Sequence, residues 1–123
     1  MLDFYENDFA TYKLEDDVLV IIYRDGVVVD LKAAVQVVED RLMLQQGERL
    51  AVLVDIRGIK EINKSARDYL ALEGSVLIKA VAIIVEPPVS EMLSTFYLRT
   101  SKPPIPNESF NSIEEAKLFL ESL

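Results

Sequence analysis

The chain contains neither cysteine nor histidine in its 123 residues. Without cysteine there is no disulfide, no thiolate nucleophile and no thiolate metal site. Without histidine, a Ser-His triad and imidazole acid–base chemistry are excluded. Positive charge is scarce: 13 Lys and Arg stand against 21 Asp and Glu, a formal net charge of -8. An acidic surface repels phosphate backbones, so nucleic acid is not an expected partner. No apolar run approaches the ~18 residues of a membrane span. The opening Met1-Leu2-Asp3-Phe4-Tyr5-Glu6 is acidic and lacks a basic n-region, which argues against a signal peptide and for a cytoplasmic protein. No G-x-G-x-x-G or Walker pattern occurs, and no carboxylate spacing suggests an oxygen-ligand cage, so neither cofactor nor metal is expected.

Half of the residues are apolar, enough for one packed core, and no linker or repeat divides residues 1–123. Phe9 to Leu14 alternates as a half-buried strand does. Glu15-Asp16-Asp17 breaks it, and the β-branched run Val18 to Tyr23 follows. The two predict an antiparallel hairpin. Arg24-Asp25-Gly26 turns the chain. Asp30 is a candidate N-cap for a helix whose stripe would be Leu31, Ala34, Val35, Val38, Leu42 and Gln45, ending at Gly47. Leu50 to Val54 and Ala80 to Val85 are all-apolar runs suited to strands covered on both faces. Between them a helix capped by Asn63 carries Ala66, Tyr69 and Leu70. After Pro87-Pro88, a third helix would present Val89, Leu93, Phe96 and Tyr97 on one face. Glu108 to Phe110 can form a short edge strand. Ser112 to Glu115 reads as a capping box opening a last helix, with Ile113, Ala116, Phe119 and Leu120 inside. The expectation is an α/β domain: a mixed four- or five-stranded sheet, an N-terminal β-hairpin, then alternating helices and strands with four helices in all.

The segment Leu50 to Asp68 concentrates the chemistry. It reads as a buried strand, a short polar loop and a first helical turn. Arg57, Lys60, Lys64 and Arg67 cluster there in an otherwise acidic chain. They can hold an anion or an acidic partner, or they can pair in solvent with Asp55, Glu61 and Asp68, where each pair contributes little. Asp55, at a strand's carboxyl end, either faces a ligand or accepts loop amides. Ser65 sits in a first helical turn, where a phosphate can accept from free amides. The carboxylate pairs Asp16-Asp17 and Glu114-Glu115 fall in a turn and a helix start, so the residues supply no positive case for catalysis.

Asp55-Ile56-Arg57-Gly58-Ile59-Lys60-Glu61-Ile62-Asn63-Lys64-Ser65-Ala66 resembles the pattern D-L-S-x-V-x-F-M-D-S-S-G of STAS domains. That family comprises the bacterial anti-sigma-factor antagonists and their lipid-transfer-like relatives. Pro104-Ile105-Pro106, Phe110 and Glu114-Glu115-Ala116 likewise resemble the closing segment of small STAS-like proteins. The order of elements matches over nearly the whole chain. In the antagonists the second serine of the pattern is the phosphoacceptor, and that position is Ser65; Asn63 replaces the acidic residue and Ala66 the glycine. The resemblance implies a regulatory module that binds a protein partner through Arg57, Lys60, Asn63, Lys64 and Arg67. It equally implies a carrier of an apolar molecule or lipid, with Met92, Leu93 and Phe96 beside the ligand. A third class is a homo-oligomer, a homodimer in the simplest case, formed by an exposed helix face or edge strand.

Overall fold

The computed structural model describes residues 4–123. The N-terminal run Met1 to Asp3 lies outside the described residues. The expected hairpin pairs β2 (Ala10–Glu15) with β3 (Val18–Tyr23) in an antiparallel register from Ala10↔Tyr23 to Glu15↔Val18. Its two-residue loop places Asp16 and Asp17 at φ 49° and 64°. Two consecutive positive φ values give the turn whose twist matches that of the flanking strands, and aspartate tolerates that region. Outside the hairpin, β1 (Phe4–Glu6) adds an antiparallel edge. On the other side β5 (Leu50–Asp55), β7 (Ile78–Ile84) and β8 (Asn107–Phe110) pair in parallel. The order is β1-β2-β3-β5-β7-β8, so among the described residues the sheet has six strands rather than four or five.

Two strands lie apart. β4 (Val27–Val29) and β6 (Ile59–Ile62) form their own parallel pair. The segment expected as a polar loop is therefore largely strand. Each is too short to show a period, and Lys60 and Glu61 point to solvent.

Helices cover both faces of the large sheet. On one face lie α1 (Leu31–Gln45) and α2 (Lys64–Leu72), over Leu19, Ile21 and Tyr23 of β3 and Leu50 and Val52 of β5. On the other, Ala116 and Leu120 of α4 (Ile113–Glu121) pack on Val20, Leu53, Ala80, Ala82 and Ile84. Alternate residues of each inner strand thus enter different cores, which is why these strands read as unbroken apolar runs. Between β7 and β8 runs α3 (Val89–Thr100).

The caps are as expected. Asp30 accepts from the Ala33 amide at 2.9 Å, and Gln46 and Gly47, at φ 49° and 81°, end α1. Ser112 accepts from Glu115 at 3.3 Å. Two helix faces differ from expectation. The buried side of α1 is Ala33, Ala34, Val37, Val38, Asp40, Arg41, Leu44 and Gln45, while Leu31 is exposed. Apolar residues stand on more than one face of this helix, and the buried face includes Arg41, which donates to the Gly74 and Val76 carbonyls. In α3 the buried residues are Ser90 and Ser94, and Val89 and Phe96 are exposed. Ser90 is drawn inward because its hydroxyl accepts from the Glu86 amide (2.7 Å) and donates to the Glu86 carbonyl (2.9 Å).

Burial raises the pKa of Tyr12, Tyr23 and Tyr97, the last to about 12. The folded chain holds these protons more tightly than the unfolded chain, whose tyrosines ionise near about pH 10. Their stabilisation is complete below that pH and is lost as pH rises toward the folded values. Arg41, pushed down to about 10 by burial, opposes this as a single group against three. The expected result is a thermal midpoint that is flat through neutral pH and falls once alkaline pH passes about 10, measured by circular dichroism. A midpoint rising over that interval would contradict the burial of these phenols.

Candidate functional site

The strand-loop-helix junction is built from the end of β5. Asp55 Oδ1 accepts the Arg57 amide at 3.0 Å and the Arg57 Nε–H at 3.0 Å, and Oδ2 accepts from Nη2 at 2.7 Å. The carboxylate thus pins the turn, and its hydrogen bond holds the guanidinium above the usual arginine pKa. Both residues line an open polar groove at the strand ends with Thr11, Arg24, Asp25 and Glu86. Lys60, Lys64 and Arg67 do not line it, so the basic cluster of the sequence is divided in space.

The second part of the site is the start of α2. Asn63 Oδ1 accepts from the Ala66 amide at 2.9 Å, so this side chain serves the helix as its cap. Asn63→Ala is expected to cost about 1 kcal/mol, with Asn63→Asp close to neutral, read from urea unfolding midpoints. Lys64 pairs with Asp68 at 2.7 Å across one exposed turn. A cation here opposes the helix dipole, which makes the intrahelical carboxylate its natural partner. Ser65 is exposed at the second helical position, in the turn whose amides lack intrahelical acceptors. Arg67 donates from Nη1 to the Ile62 carbonyl at 2.8 Å, and its guanidinium carbon lies 4.8 Å from the Phe96 ring centroid. This cation–π contact joins α2 to α3. Arg67 therefore borders an apolar strip of Val89, Met92 and Phe96 on α3, with Met92 69% and Phe96 49% exposed.

A third feature is an apolar cavity of about 120 Å³, partly open, between the sheet and α1, α2 and α3. Of the three residues expected beside an apolar ligand, Leu93 lines it, together with Tyr97 of the same helix. Met92 and Phe96 do not, because the serine side of α3 faces inward and turns them out. The wall also includes Arg41, a charged residue on the buried side of α1. Its signal was present: Arg41 follows Ala34 by seven residues and Val37 by four, on an apolar helical stripe. Its Nη1 donates to the Gln45 Oε1 and to the Val76 carbonyl (2.9 Å), and Nη2 to the Gly74 carbonyl (3.3 Å). Gln45 in turn donates to the Glu48 and Leu77 carbonyls at 2.8 and 2.9 Å.

Among the described residues no group of three or more potential metal ligands converges, and no helix is long and apolar enough to cross a membrane.

The model of one protein family matches residues 12–123 of the chain. The chain belongs to DUF7793, described as a domain of unknown function. No protein of curated function matches the chain. Among solved structures, the chain is similar to an uncharacterised DUF3478-family protein with a SpoIIAA-like fold from Shewanella loihica PV-4. That likeness has a TM-score of 0.63 at 16% identity, over 94% of this chain and 98% of that one. A serine-to-glutamate variant of RsbS from Moorella thermoacetica is similar at a TM-score of 0.59 and 15% identity, over 91% and 97%. The DUF7793 chain thus has a STAS-like fold, as the junction motif implied.

Proposed function

We propose that this chain is a non-enzymatic regulatory module of the cytoplasm, similar in role to anti-sigma-factor antagonists, that docks a protein partner through the start of α2 and the adjoining strip of α3. Phosphorylation of Ser65 is its switch. The observation that supports this reading is the exposed Ser65 hydroxyl in the first turn of α2, a helix that meets solvent-facing Phe96 of α3 through Arg67. A phosphate there gains free first-turn amides and places new negative charge at the start of α2, beside Lys64. The test is the intact mass of protein purified from its native host under denaturing conditions, with fragment mapping. A phosphate-sized increment at Ser65 supports the switch; an unmodified serine under all growth conditions removes it. Docking is tested separately with Lys64→Glu/Arg67→Glu, which is expected to weaken capture of the cognate partner at least about tenfold.

The apolar cavity favours a second reading, a carrier of a small apolar molecule. It predicts an adduct that survives in the native mass spectrum and disappears on denaturation. The exposed strip of Val89, Met92 and Phe96 is also the surface through which a homodimer would pair, and sedimentation at several concentrations tests that.

A further inference from the structure

Resting on the carrier reading, one wall of the cavity carries an unneutralised cation. Arg41 is 2% exposed, and it takes part in no ion pair among the described residues. Its sequence neighbour Asp40 is engaged elsewhere, accepting from Asn7 at 2.8 Å and from Gln36 at 2.9 Å. The three acceptors of Arg41 are uncharged. Burying an unpaired charge is expensive, and an anion seated beside it recovers much of that cost.

A second group points the same way. Tyr23 lines the cavity and is 6% exposed. Arg41 and Tyr97, both on the cavity wall, lie close enough for their charges to influence its ionisation. Desolvation keeps the Tyr23 phenol protonated, and so a donor, at neutral pH. The remainder of the wall is aliphatic, including Ile21, Val37 and Leu93. Cavities near 150 Å³ lined this way accept a benzene-sized guest, which sets the scale of the apolar body.

We infer that the cavity is a binding site for a small monocarboxylic acid with an apolar body, its carboxylate held by Arg41 and the Tyr23 hydroxyl. Hydrogen bonds from a charged donor discriminate against a neutral isostere by about tenfold or more.

The experiment titrates the wild-type protein at neutral pH with hexanoate and, separately, with hexan-1-ol. Affinity is read by calorimetry and location by NMR shifts of the Leu93 and Val37 methyl groups. The acid is expected to bind at least about tenfold more tightly than the alcohol while moving those methyl signals. Tyr23→Phe, which keeps the ring and the fold, is expected to weaken the acid several-fold and leave the alcohol unchanged. Arg41→Met is expected to remove most of the preference for the acid, leaving only the several-fold part that Tyr23 supplies. The wild-type comparison stands even if that variant does not fold. Equal binding of acid and alcohol in the cavity overturns the Arg41–Tyr23 assignment and leaves the carrier reading intact. Binding of neither, or binding that leaves the cavity methyl signals unmoved, overturns both.

Discussion

Replacing Gly58 with alanine is expected to destabilise the protein by about 3 kcal/mol, near the upper end for overpacking. A β-carbon at this position would stand 2.7 Å from the Arg24 carbonyl oxygen, 2.9 Å from its carbonyl carbon and 2.9 Å from the Tyr23 carbonyl oxygen. All three are backbone atoms, so no side-chain rotation relieves the overlap. The two chain segments are also tied there, since the Gly26 amide donates to the Gly58 carbonyl at 2.7 Å. The alanine would push β6 away from the end of β3, disturbing the β4–β6 pair and the path into α2. Gly26→Ala is the comparison that separates crowding from backbone conformation. Nothing lies within 4 Å of a β-carbon at Gly26, and its φ of 78° is the only penalty. That costs about 1–2 kcal/mol. Urea denaturation of both variants decides the matter: equal losses would show that close approach at Gly58 is not what the position requires.

Gln45→Leu carries the second large effect, a loss of about 2–4 kcal/mol. Gln45 is 0% exposed and serves both ends of a buried network. Its oxygen accepts from Arg41, and its amide nitrogen bridges the carbonyls of Glu48 and Leu77. Leucine has nearly the same volume but leaves a buried guanidinium short of an acceptor and two carbonyls short of a donor. Leaving such groups unpaired costs more than forming the bonds gains, because the lost contact with water is not recovered. The pairing has a further consequence. Arg41→Met/Gln45→Leu removes cation and acceptor together, so the double variant is expected to lose at least 1 kcal/mol less than the two single losses combined, by about the coupling seen between contacting residues. Additive losses would mean that the two side chains act independently.

The candidate site was only partly legible in the residues. Ser65 at a first helical turn, Asn63 as the cap and Asp55 as the anchor of a turn could be read from local chemistry, and the geometry of each agrees. The basic cluster could not be resolved from spacing. Arg57 turns back on Asp55 because its guanidinium reaches that carboxylate two residues away, whereas Arg67 reaches across to Phe96, far along the chain. Met92, Leu93 and Phe96 share one stretch of helix, yet only Leu93 meets the cavity. The hydrogen bonds of Ser90 to Glu86 set the rotation of α3, and no hydrophobic pattern records them.

Element type lay in the sequence. Continuous β-branched runs marked the strands buried on both faces, helical spacing marked the four helices, and Asp30, Asn63, Gly47 and Ser112 marked helix ends. These are properties of short windows, fixed by local sterics and by orphan amides that the nearest side chain can satisfy. The tertiary structure alone decided the sixth strand of the large sheet, the pairing of β4 with β6, the buried faces of α1 and α3, and the meeting of Arg41 with Tyr23 and Tyr97 around one cavity. Each depends on which distant segment supplies a backbone partner or a packing surface, and a three-residue strand or a helix apolar on more than one side carries no local signal of that choice.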